Sequence, residues 1–154
     1  MIGELNIRNF KCFKDVTLPL KPITIVSGGN GVGKSSMIQS LLLLRQAADQ
    51  LRVLDDLGAL ETGNSAEFPV RLNGPYRLAL GNTLTLTNAE LESNTIEIGV
   101  QSADVPEQSV SVTFIADIAA SVTLTGHHPG SNSNAMLNRG GSLPVFSGDR
   151  KSVV

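Results

Sequence analysis

The spacing of hydrophobic and polar positions changes several times along the chain. In "GELNIRNFKCF" Leu5 and Ile7 alternate with polar neighbours, and Val16, Leu18 and Leu20 alternate again before Pro22. Period two predicts two short strands, with a turn near Lys14 and Asp15. Residues 23–26, "ITIV", are a continuous apolar, largely β-branched run followed at once by polar and glycine residues. That is the pattern of a strand buried on both faces, as in the interior of an α/β sheet. From Ser35 to about Leu57 there is no Gly or Pro, and Met37, Leu41, Leu44, Ala48 and Leu51 recur at three- and four-residue steps. A helix over about 35–57 follows, its apolar stripe widened by Leu42 and Leu43 and its end marked by Gly58.

The segment "ETGNSAEFP" reads as a loop, and beyond Pro69 the period returns to two. "YRLAL", "TLTLTN", "TIEIGV", "SVSVTFIADI" and "SVTLT" predict about four or five antiparallel strands in a meander over about 70–125. From Gly126, "GHHPGSNSNAMLNRGGS" has the composition of a polar loop. His127 and His128 have no carboxylate or cysteine at a ligand spacing, so they are read as loop residues and not as metal ligands. The expected division is a lobe over 1–125 and a loop-rich tail over 126–154.

Between the apolar run and the helix lies "GGNGVGKS", where Gly28, Gly33, Lys34 and Ser35 fit G-x-x-x-x-G-K-[ST]. Glycines let the backbone curl so that successive N–H groups point at a phosphate, a geometry that side chains would obstruct. Lys34 supplies positive charge for the β- and γ-phosphates, the helix N-terminus adds its partial charge, and the Ser35 hydroxyl is the candidate Mg²⁺ ligand. The candidate nucleotide site is therefore Gly28, Gly29, Asn30, Gly31, Val32, Gly33, Lys34, Ser35 and Ser36. No guanine-reading N-K-x-D tetrapeptide occurs in the chain, and ATP is the expected nucleotide.

Charge and composition sharpen this picture. The 154 residues suit one domain with an aliphatic core, since there is no Trp, one Tyr and five Phe. The formal net charge of −2 gives no chain-wide basic surface for nucleic acid. Residues 1–58 carry seven Lys/Arg against five Asp/Glu and residues 59–154 five against nine, so an anion site belongs in the first part. The single cysteine, Cys12, excludes an internal disulfide and a thiolate zinc cluster. The charged N-terminus is not a signal peptide, and "MIQSLLLL" is far short of the ~20 apolar residues that cross a bilayer. A soluble, cytoplasmic protein is expected.

"LNIRNFKCFKDVTLPLKPITIVSGGNGVGKSSMIQSLL" resembles the N-terminus of the RecF, structural-maintenance-of-chromosomes and OLD-nuclease type ATPases, relatives of the ABC ATPase head. "SSMIQSLLLLRQ" is most similar to predicted AAA-family ATPases of this type, several of which act in anti-phage defence. The resemblance implies an α/β fold: the N-terminal lobe of a P-loop NTPase, with strand, P-loop and helix followed by an antiparallel meander. It implies ATP and Mg²⁺ as cofactors, a homodimer formed through the nucleotide site, and contact with nucleic acid only through other parts of such a protein. Asn9, Phe10 and Lys11 match the family's Asn-Phe-Lys/Arg stretch near the nucleotide, although Phe10 and Phe13 read equally well as core aromatics. The family's Walker B string, four apolar residues then Asp-Glu, is absent; "LPVFSGD" offers Asp149 after a glycine and without a Glu. "LNRGGS" is a loop and not the family's ATP-clamping signature, because Pro144 stands where a helix should begin. The sequence is thus expected to be an N-terminal piece that holds the phosphate-binding half, with hydrolytic groups elsewhere.

Overall fold

The computed structural model describes residues 1–56, 66–105, 109–116 and 123–128. Its framework is one six-stranded sheet, all antiparallel, with strands β1 (Ile2–Phe10), β2 (Phe13–Pro19), β3 (Ala66–Arg71), β6 (Thr95–Ser102), β7 (Ser109–Ile115) and β8 (Thr123–His128) in the order β2-β1-β6-β7-β8-β3. A two-stranded ribbon pairs β4 (Asn73–Gly74) with β5 (Leu78–Ala79), and the one α-helix among the described residues, α1 (Lys34–Asp56), packs on the sheet.

The core follows from alternation. Leu5 and Ile7 of β1, Ile96, Ile98 and Val100 of β6, Val110, Val112 and Phe114 of β7, and Phe68 and Val70 of β3 are all buried. Against them α1 turns Leu43, Leu44, Ala47, Ala48 and Leu51, the three- and four-residue steps that period 3.6 requires. The start of α1 lies within a residue of the expected one, and the position of Gly58 lies outside the described residues. Leu44, 1% exposed, sits at the middle of this seam. Leu44→Ala should lower unfolding free energy by about 2–5 kcal/mol, read as a fall in the urea midpoint at unchanged slope.

Several elements differ from the sequence reading. The first hairpin turns at Lys11 and Cys12, not near Lys14 and Asp15. Phe10 pairs with Phe13, and Asp15 stands in the ladder opposite Arg8. Asn9 and Lys11 both take positive φ, 53° each, which folds the chain back earlier than alternation indicates. "TLTLTN" is no strand: residues Thr83–Thr85 form a 3₁₀ turn. The carbonyl of Leu86 and the side chain of Asn88 are bound to the backbone of Lys11, so these groups serve the hairpin and not a ladder. "YRLAL" contributes only the two residues of β5, because Tyr76 and Arg77 lie at φ 63° and 56°.

The "ETGNSAEFP" segment, read as a loop, ends inside β3, where Pro69 is accommodated because β3 is an edge strand. β8 continues through Gly126, His127 and His128, residues read as loop; they pair with Phe68, Glu67 and Ala66. The meander is real only for β6-β7-β8, with β3 returning to the far edge. Asp149 and the "LNRGGS" stretch lie outside the described residues, as does most of the 126–154 tail.

The largest departure concerns residues 23–26. They join no sheet, and Ile23 and Ile25 are 83% and 87% exposed. A strand buried on both faces needs a neighbour on each edge, and among the described residues no strand pairs with this run.

Candidate functional site

The glycine-rich loop, residues 28–33, spans the gap between the unpaired apolar run and the first turn of α1. Gly28, Gly31 and Gly33 have φ of 149°, 85° and 102°, a region that L side chains rarely adopt. The motif glycines are thus required by the backbone itself. A Cβ on Gly29 or Gly31 would meet nothing within 4 Å, so the loop is open to solvent on that side. At Gly33 the reverse holds: a Cβ would lie 2.7 Å from Cys12 Sγ and 2.7 Å from Phe13 Cζ. The turn of the first hairpin is therefore the floor on which the loop rests.

Helix α1 begins at Lys34, and the Met37 amide donates to Gly33 O at 2.9 Å, closing the first turn. Ser35 and Ser36 fall in that turn, Ser35 exposed. Lys34 Nζ donates back to Gly28 O at 2.7 Å and to Gly29 O. Its ammonium thus already spans the loop, on the side where the motif needs a cation. The nine candidate residues, Gly28 to Ser36, are contiguous in space as they are in sequence, and the exposed glycines, the lysine and the helix N-terminus converge on one surface. These features fit a phosphate chain: an open cradle, one ammonium held on loop carbonyls and orphan helix amides. Among the described residues no three His, Cys, Asp or Glu side chains cluster to hold a metal, and the hydroxyls at this end of α1 are those of Ser35 and Ser36.

The Asn-Phe-Lys stretch leads into the hairpin turn on which the glycine loop rests. Asn9 is 2% exposed; its Nδ2 donates to Ser93 O and Thr95 O, both at 2.8 Å, and its Oδ1 accepts from the Asn88 amide at 2.9 Å. Phe10 is fully buried in the core, and Phe13 packs against that core. Lys11 Nζ donates to Gln39 Oε1 on α1 at 2.7 Å and lies 5.8 Å from the centroid of the Phe10 ring. Partial burial pulls its ammonium below the ordinary lysine range, with the neighbouring Cys12 acting in the opposite sense. The stretch is the brace that fixes the hairpin turn under the loop. Sequence reasoning found the loop but not its support: Cys12, Gln39 and Asn88 carry no motif, and only their proximity reveals them.

A family model described as AAA ATPase domain matches residues 1–129. The OLD nuclease of Thermus scotoductus is 32% identical over 80 residues, 49% of this chain and 15% of that protein. The chain therefore spans only a small part of the curated relative it matches.

Proposed function

The chain belongs to the AAA ATPase domain family, and from that premise we propose that it is an ATP-binding lobe in which residues 28–36 hold the phosphates of Mg-ATP. The observation that carries this reading is the Lys34 ammonium lying across a loop of three positive-φ glycines at the N-terminus of α1. In this reading the Gly29, Asn30, Gly31, Val32 and Gly33 amides would donate to phosphate oxygens, and Lys34, now on the Gly28 and Gly29 carbonyls, would supply the positive charge for the β- and γ-phosphates. Gly28 would supply the entry turn, Ser36 would add a donor in the first helical turn, and Ser35 would ligate the Mg²⁺. The metal would neutralise charge that develops on the phosphates during transfer.

The sequence contains no apolar string ending in Asp-Glu. The groups that orient the metal and activate water would then come from another polypeptide segment, and a second copy would close the site as a dimer. By itself the chain is expected to bind nucleotide without appreciable turnover. The wider role, coupling the ATP cycle to an effector step in DNA handling or phage defence, belongs to the same proposal, with any nucleic-acid contact made elsewhere. No helix among the described residues is long and apolar enough to cross a membrane, and the proposed setting is the cytoplasm.

Calorimetric titration with Mg-ATP tests the reading. Lys34→Ala should weaken binding roughly 10- to 100-fold, the effect of losing charge-assisted contacts worth about 1.5–3 kcal/mol. Equal affinity in the two proteins would refute the assigned site.

A further inference from the structure

The chain contains two Asn-Gly dipeptides, Asn30-Gly31 in the glycine-rich loop and Asn73-Gly74 in the β4–β5 ribbon. In this dipeptide an asparagine side chain reacts most readily with its own backbone, because glycine puts no side chain beside the attacking nitrogen. Both are exposed, so exposure does not separate them. Their hydrogen bonds do.

Asn73 is clamped at both ends of its amide. Its Nδ2 donates to Gly81 O at 3.1 Å and its Oδ1 accepts from the Gly81 amide at 3.2 Å, while Asn73 and Gly74 stand in the ladder opposite Ala79 and Leu78. Turning Cγ onto the Gly74 nitrogen would break both side-chain bonds. Asn30 has no such hold: neither its side chain nor the Gly31 amide has a hydrogen-bond partner among the described residues. Gly31 sits at φ 85°, and an added Cβ there would meet nothing within 4 Å, so this part of the loop is open.

We propose that Asn30-Gly31 is a self-modification site, at which deamidation in the nucleotide-free loop places a carboxylate at the phosphate cradle and switches it off. The Gly31 nitrogen, its proton lost to hydroxide, attacks Asn30 Cγ. The N–Cγ bond forms, the Cγ–Nδ2 bond breaks, and Nδ2 takes a proton from water and leaves as ammonia. Water then opens the cyclic imide. Addition at Cγ gives aspartate; addition at the main-chain carbonyl carbon gives isoaspartate, whose backbone runs through Cγ and is one methylene longer. Either product carries a negative charge that repels phosphate and competes for the Lys34 ammonium, now on Gly28 O and Gly29 O. The longer backbone also breaks the spacing of the loop amides. A bound phosphate chain would engage those amides and protect the site, a consequence that rests on the nucleotide reading above.

The test is peptide mass mapping of the full chain during incubation in mildly alkaline buffer. Asn30 should convert to the acid at least about tenfold faster than Asn73, the ratio that two ordinary hydrogen bonds impose on the slower site. Unfolding in urea should bring the two rates together, because the difference lies in the fold. Equal rates in the folded chain, or faster conversion at Asn73, would overturn the site. Mg-ATP should slow Asn30 several-fold and leave Asn73 unchanged, and the aged chain should lose Mg-ATP binding in proportion to the fraction converted. Aged Asn30→Gln, whose side chain would have to close a slower six-membered ring, should bind as its own fresh form does. Undiminished binding by the converted wild type would overturn the switch. A fresh chain that binds no Mg-ATP would refute the phosphate site instead, and the mass map would still decide the modification.

Discussion

Asn9→Leu should bring the protein close to the limit of its stability. Leucine keeps the branching of the side chain, with somewhat greater bulk, but removes both amide donors and the acceptor. The carbonyls of Ser93 and Thr95 and the amide of Asn88 would lose their Asn9 bonds together, in a part-buried to buried setting. Each group stranded in this way costs about 1–3 kcal/mol. The backbone adds to this, since φ 53° is tolerated by asparagine better than by leucine. A loss of roughly 3–6 kcal/mol is expected, against a total stability of about 5–15 kcal/mol for a domain. Urea denaturation followed by circular dichroism measures it. A loss below about 1 kcal/mol would mean that water replaces the amide without cost and that the turn does not depend on it. Asn9→Asp should be at least as damaging in neutral solution, because its buried carboxylate would face the Ser93 and Thr95 carbonyls, and part of the loss should be recovered as falling pH protonates it.

The second large effect is expected at Gly33. Gly33→Ala puts a methyl group 2.7 Å from both Cys12 Sγ and Phe13 Cζ at a φ of 102°. Overpacking of this kind typically costs about 1–3 kcal/mol, and the strained backbone about as much again. Relief requires the loop to lift off the hairpin, which moves the first turn of α1 and the Lys34 side chain with it. The expected result is a thermal midpoint lower by several degrees together with loss of Mg-ATP binding. The double variant Gly33→Ala/Cys12→Ala removes one of the two close atoms and should recover part of both. If neither Cys12→Ala nor Phe13→Leu recovers anything, the cost lies in the backbone angle alone and the hairpin is not the floor of the loop. Gly31→Ala serves as the comparison, because its added methyl meets nothing within 4 Å and only the φ of 85° is strained.

Both predictions bear on one mechanical idea. The glycine loop has few tertiary contacts of its own; its position is set from below by the hairpin turn. That turn is held by Asn9, by the Asn88 bond to Lys11 O at 2.9 Å, and by the Lys11 bond to Gln39. A nucleotide gripped by the loop would therefore load the edge of the sheet and the first third of α1 together.

Local pattern determined a good deal of this protein. Period 3.6 located α1 to within a residue at its start, and period two located β1, β2, β6 and β7, because each element buries one face and its sequence must repeat with the backbone. The glycine motif was legible for the same reason: positive φ at Gly28, Gly31 and Gly33 is a property of single residues, and glycine satisfies it without help. Tertiary structure decided the rest. Alternation in "TLTLTN" promised a strand, yet its hydrogen bonds go to a turn more than 70 residues away, and no local pattern can encode that competition. The role of Asn9 as a brace, the contact of Cys12 with Gly33 and the return of β3 to the far edge depend on which strands become neighbours. The run at residues 23–26 has the composition of a buried strand, but burial is conferred by neighbours, and the described residues place none beside it.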